Sequence, residues 1–178
     1  SRQKAKGKCK RQKANGKRQR QKAKGKGKRQ HGKGNRQTAR DNSKKYGDFS
    51  PKNILAHQNK LHLIDHEVIH LGDGAFDLGF ALTHLLAKSL HVPGHRVTFQ
   101  EACHLFADRY LQSVSSVSKF SGIEERWIKH TLGCLLARVH GRSPLEYLKD
   151  SERALITEKT LECLNQLPSD IHTLIAVS

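Results

Sequence analysis

The chain has 178 residues, with 33 Lys or Arg against 16 Asp or Glu and a net charge of +17. No apolar run approaches the ~18 residues that a membrane span requires, and charge stands at the N-terminus where a signal peptide needs an apolar stretch. These features exclude an ordinary membrane-spanning or secreted class and predict a soluble, cytoplasmic protein.

The charge is not spread evenly. Residues 1–45 contain 20 basic side chains and the single acid Asp41, which leaves 13 basic and 15 acidic residues for 46–178. The calculated pI of about 10.1 therefore describes the tail and not the part able to build a core. Within the tail, Arg-Gln recurs at Arg2, Arg11, Arg20 and Arg29, a nine-residue repeat of the unit RQKAKGK. Such units offer almost no apolar surface to offset chain entropy, so residues 1–45 are expected to be a disordered, basic, low-complexity tail. One reading of this tail is an electrostatic arm for nucleic acid, although it lacks interleaved aromatics for base stacking. Gly27, Gly32 and Lys33 have P-loop spacing, but Gly34 stands where Ser or Thr should hold magnesium, and no strand or helix flanks them.

At Tyr46 the composition becomes ordinary. Ile54–His57 and Lys60–Asp65 are short apolar-rich runs separated by Gln58-Asn59, which predicts a β-hairpin with a tight turn. A turn centred there places Asn53 opposite Ile64, beside Asp65. The open end of the hairpin thus gathers an amide and a carboxylate, with Asp48 on the loop before it. This set suits phosphoryl transfer: a loop carboxylate orients an acceptor hydroxyl, while Asn and a second Asp offer the hard oxygens that magnesium prefers. Asp48-x-x-x-x-Asn53 also has the spacing of a kinase catalytic loop.

A rival motif overlaps this region. His66-Glu67-Val68-Ile69-His70 is a literal H-E-x-x-H, the zinc metalloprotease signature, which works when both His share one helix face. Here a strand-like run precedes it and Gly72 and Gly74 follow, so the expected context is not helical. His91 and His95 flank Pro93 and are expected at the surface or partly buried.

Beyond Asp77 the apolar period lengthens to that of helices. Leu78, Ala81, Leu82, Leu85 and Leu86 predict a first helix ending near Pro93-Gly94. Ala102, Leu105, Phe106 and Tyr110 predict a second from near Thr98, and Ile128, Leu132, Leu135, Leu136 and Val139 a third that stops at Gly141. Leu155, Leu161, Leu164 and Leu167 predict a fourth, with Ser151 as N-cap and Pro168 as its stop. Trp127, Phe106 and Tyr110 are expected in the core. Cys9, Cys103, Cys134 and Cys163 are far apart and form no C-x-x-C pair, so they are expected as buried or free thiols.

Three ordered blocks carry a resemblance. Gly47-Asp48-Phe49-Ser50-Pro51-Lys52-Asn53, then Ile64-Asp65-His66-Glu67, then Gly72-Asp73-Gly74-Ala75-Phe76-Asp77-Leu78-Gly79 resemble the H-G-D-x-x-x-x-N, I-D-x-E and G-D-P-x-x-D-L-A series of aminoglycoside phosphotransferases, choline kinases and methylthioribose kinases. Tyr46 stands where that family has His, and Gly74 where it has Pro. The resemblance implies an α+β, mostly α fold: a protein-kinase-like C-terminal lobe with catalytic loop, β-hairpin and helical bundle over residues 46–178. It implies an ATP- and Mg2+-dependent kinase acting on a hydroxyl of a small molecule. Asp48 would be the catalytic base, Asn53 and Asp65 the magnesium and cofactor-binding ligands, and Asp77 a structural support of the catalytic loop. Arg138-x-x-Gly141-x-Ser143-Pro144-Leu145-Glu146-Tyr147-Leu148 resembles a late segment of some bacterial members. Nothing in the tail resembles the family's nucleotide-binding lobe, and the chain lacks an initiating Met. The expectation is a fragment that is inactive alone and exposes apolar surface which that lobe would cover.

Overall fold

A computed structural model describes residues 43–116 and 120–178. The described residues all belong to the unit Ala39–Ser178. The disorder and the nucleic-acid arm expected of the tail fall outside them up to residue 42, as does Cys9. Ser43–Lys45 form strand β1, so described structure begins three residues before the boundary that charge suggested. Composition marks where charge changes, whereas pairing follows backbone hydrogen bonds, and those of β1 lie to a strand 25 residues further on.

The architecture is mostly helical with a small β region at its N-terminal end. Strand β1 pairs antiparallel with β4 (His70–Gly72), in the register Ser43↔Gly72 and Lys45↔His70. Between them β2 (Ile54–His57) and β3 (Lys60–Leu63) form the predicted hairpin, with Ile54 opposite Leu63 and His57 opposite Lys60. Its turn is centred on Gln58 and Asn59, both at positive φ (47° and 58°), the pairing that keeps the twist of a two-residue hairpin.

Among the described residues five α-helices follow: α1 (Ala75–His91), α2 (Arg96–Val114), α3 (Ile123–His140), α4 (Asp150–Asn165) and α5 (Ile171–Val177). Helix α1 is central, packing chiefly on α3 and next on α2. Leu78, Leu82 and Leu86 recur every four residues and give it one apolar stripe, buried with Trp127, Leu132 and Leu135 of α3. Each such aliphatic side chain contributes about 1.5–3 kcal/mol by leaving water. Helix α1 ends where Pro93 forbids its continuation. Phe106 and Tyr110 of α2 meet the Trp127 ring edge-on at 5.4 and 5.7 Å, the packing role expected of all three.

Gly79 allows α1 and α3 to approach closely. A Cβ there would stand 2.7 Å from the Thr131 nitrogen. Nearby, Thr83 Oγ1 donates to the Gly79 carbonyl at 2.8 Å and lies 3.3 Å from that of Thr131. Cys103, Cys134 and Cys163 are buried free thiols; burial pushes the first two up to about 12 and about 11.

Two helices differ from expectation. In α2 the buried positions are Cys103 and Ala107, and Leu105 is 57% exposed. In α4 the core face is Ile156, Thr160 and Cys163, whereas Leu155, Leu161 and Leu164 are exposed. Nine residues at about 100° each put Leu155 and Leu164 on opposite sides of a helix, so the leucines never formed one stripe. The N-cap is Lys149, whose N–H donates to Glu152 at 2.8 Å, and not Ser151. Helix α5 was not foreseen: Pro168 ends one helix, but Asp170 starts another by accepting the Thr173 N–H at 2.7 Å. No helix among the described residues is long and apolar enough to cross a membrane.

Candidate active site

The three acids and one amide singled out in the sequence meet where the β region joins α1. Asp77 lies in the first turn of α1, where a carboxylate is favoured by the helix dipole. Its Oδ2 accepts the Tyr46 N–H at 2.5 Å and its Oδ1 the Gly47 N–H at 2.7 Å. These bonds fix the chain just before the candidate catalytic residue. Gly47 has φ +88°, and a Cβ on it would come within 3.0 Å of the Val68 carbonyl, so the sharp bend there suits glycine.

The bend delivers Asp48. Ser50 N–H closes onto the Asp48 carbonyl at 2.8 Å, and Pro51 opens a single 3₁₀ turn that ends at Asn53. Asn53 is buried, and its Nδ2 donates to both the carbonyl and Oδ2 of Asp48, each at 3.0 Å. Lys52 Nζ lies 3.3 Å from the same Oδ2. Asp48 Oδ1 is left buried with no partner among the described residues.

The hairpin register then brings back the second carboxylate. The Ile64 N–H donates to the Asn53 carbonyl at 3.0 Å, as the turn position requires, and Asp65 follows at φ +67°. That left-handed conformation is uncommon for a residue with a Cβ, though Asp tolerates it better than most. Burial first, then the charges of Asp65 and Asp48, raise the Tyr46 hydroxyl above its ordinary value, which puts both carboxylates within electrostatic reach of one oxygen. The Tyr46 ring is buried, edge-on to Phe49 and His66, and its hydroxyl has no partner among the described residues.

The donor set is one of hard oxygens. Asn53 uses Nδ2 on Asp48, so its Oδ1 remains for a cation, and the exposed Asp65 supplies a carboxylate. One amide and one carboxylate fit magnesium, which keeps several waters and usually completes its shell with substrate phosphates. Among the described residues no three His, Cys, Asp or Glu side chains gather as a metal site.

The H-E-x-x-H sequence does not lie on a helix. His66 packs on Tyr46, residues 67–68 form a turn, and His70 begins β4 with its Nδ1 2.7 Å from the Val68 carbonyl. The shared helix face that the zinc reading requires is therefore missing.

A cleft of about 580 Å³ lies beside the Asp48 turn, between Pro51-Lys52, one face of α1 and the segment Ser143–Tyr147. Of its polar residues, His84 and Lys88 were not singled out in the sequence, whereas Arg138 and Tyr147 entered only as part of the late segment that resembles some bacterial members. A signal was present: Phe80, His84 and Lys88 follow Asp77 on one helix face at steps of three, four and four residues. Ser143–Tyr147, within the late segment that resembles some bacterial members, forms the far wall. Arg138 Nη1 donates to the Ser143 carbonyl at 2.7 Å, and Arg153 donates to the Leu145 and Leu148 carbonyls at 2.7 and 3.1 Å.

Comparison of the chain with protein-family models, with curated proteins and with solved structures returns no match.

Proposed function

We propose that residues 46–178 are the catalytic half of a kinase-like phosphotransferase that moves the ATP γ-phosphate to a hydroxyl of a small molecule. The observation that carries this reading is the closed set of contacts around one turn. Asp77 holds the backbone before Asp48, Asn53 holds Asp48 itself, and the hairpin register returns Asp65 to the same place. A solvated turn rich in Asp and Asn needs none of these long-range ties.

In this reading Asp48 orients the acceptor hydroxyl and takes its proton, with the unpartnered Oδ1 as the receiving atom. Asn53 and Asp65 would hold magnesium, which neutralises charge on the transferring phosphoryl group. Lys52 shields Asp48 until a substrate displaces it. Tyr46 fills the family's His position and packs the floor. The exposed apolar side chains of the β region support the reading too: Leu61 and Leu71 are 74% and 69% exposed, with Leu63, Ile64, Val68 and Ile69 beside them in sequence. Such a surface is what a nucleotide-binding lobe covers in the family that the motifs resemble.

The test is Asp48→Ala in the protein at its natural length, assayed for Mg2+-dependent transfer of labelled γ-phosphate. Loss of a general base should lower kcat by about 10²–10⁴-fold. Full turnover by the variant sinks the assignment.

A further inference from the structure

Building on the phosphotransferase reading, we infer that the acceptor carries an anionic group, phosphate or carboxylate, received by Lys52, Lys88, Arg138, His84 and Tyr147 in the cleft beside Asp48. The cleft volume of about 580 Å³ is that of a small-metabolite site. It opens at Lys52, whose ammonium touches Asp48, so a ligand in it has a hydroxyl near the base.

Charge sets the ligand class. Three cations line the cleft against one acid, Glu146. Neither Lys88 nor Arg138 has a carboxylate within ion-pair distance among the described residues. Partly buried charges without counter-charges are costly, and an incoming anion removes that cost. Lys88 Nζ stands 3.8 Å over the Tyr147 ring, and beside the cleft the Arg138 guanidinium stands 4.6 Å over Phe80. A quaternary ammonium ligand would meet like charge here.

Two neutral donors complete the site. His84 Nε2 and the Tyr147 hydroxyl are buried without hydrogen-bond partners among the described residues. Burial, then the Arg138 charge, pulls His84 down to about 4, and burial pushes Tyr147 up to about 12, so each is uncharged at neutral pH and able to donate to an anion. A polyamine acceptor fits none of these features.

The experiment is a calorimetric titration of the 178-residue chain, without nucleotide or magnesium, using glycerol 3-phosphate, D-glycerate, glycerol and choline. At least one anion should bind about tenfold or more tighter than glycerol and choline, and the tighter of the two anions names the group. Lys88→Gln should weaken that binding about tenfold, and Lys88→Arg should restore it. Anion binding unaltered in Lys88→Gln reports the basic segment 1–45 and overturns the inference, as does tighter binding of choline or no binding at all. Because no phosphoryl transfer is measured, anion binding that depends on Lys88 stands even if Asp48→Ala leaves turnover intact; only the phosphotransferase reading would then fall.

Discussion

The side-chain amide of Asn53 donates twice to Asp48, once to its backbone carbonyl and once to its Oδ2, each at 3.0 Å. The first bond holds the turn and the second aims the carboxylate. Asn53→Ala removes both donors from a buried position and should lower stability by about 1–3 kcal/mol in urea denaturation. An unchanged midpoint would mean that the turn holds Asp48 without help.

Asp77 secures the same turn from the other side. Asp77→Ala leaves the Tyr46 and Gly47 amides without their acceptor, and hydrogen bonds to a charged group are worth roughly 1.5–3 kcal/mol each. Amide exchange at Tyr46 and Gly47 should accelerate by at least about tenfold, with little change at the centre of α3. Equal protection in both proteins would remove Asp77 from the support of the loop.

Gly79 sets the spacing between α1 and α3. The Cβ of Gly79→Ala would clash with the Thr131 backbone, which cannot retreat as a flexible side chain would, so a cost of about 1–3 kcal/mol is expected. Thermal unfolding measures it, and a stabilised variant would contradict the close packing.

The burial of His84 makes a pH prediction with a definite sign. Its folded value lies at about 4 against an ordinary 6.5, so the unfolded chain binds the proton more readily. Its share of stability is complete above pH 6.5 and falls away as pH drops towards 4. Asp48 opposes the shift, whereas Arg138, Lys52 and Lys88 reinforce it. His84→Gln should flatten the stability profile between pH 6.5 and 4; an identical slope in both proteins would show His84 to be freely solvated.

How much of this was legible in the sequence depended on the kind of signal. Hairpin register was readable because Gln58-Asn59 admits one turn, and that turn dictates the Asn53 and Ile64 pairing. The Asp77 contact was implied by resemblance, and its two acceptor bonds follow from the fold. The face of α4 was misread because leucine identity was weighed above angular position, and Thr160 and Cys163 are poor markers of a core. Strand β1 was hidden inside a charged segment, since the partner that orders it is not local. The basic cleft was missed for the same reason: Lys52, Lys88 and Arg138 come from three separate elements, and only the packing of α1 on α3 brings them together.

In the phosphotransferase reading we propose, Asn53 and Asp65 bind a divalent cation carrying nucleotide phosphates beside Asp48. Manganese replaces magnesium at such sites, and its unpaired electrons broaden nearby amide resonances even when binding is weak. Titrating the 15N-labelled chain with Mn2+ and ATP should broaden the resonances of residues 48, 53 and 65 first, more strongly than Mn2+ alone, and spare those of α4. Asp65→Asn should abolish the effect. Broadening that is centred on other carboxylates, or that persists in Asp65→Asn, would contradict cation binding by Asn53 and Asp65.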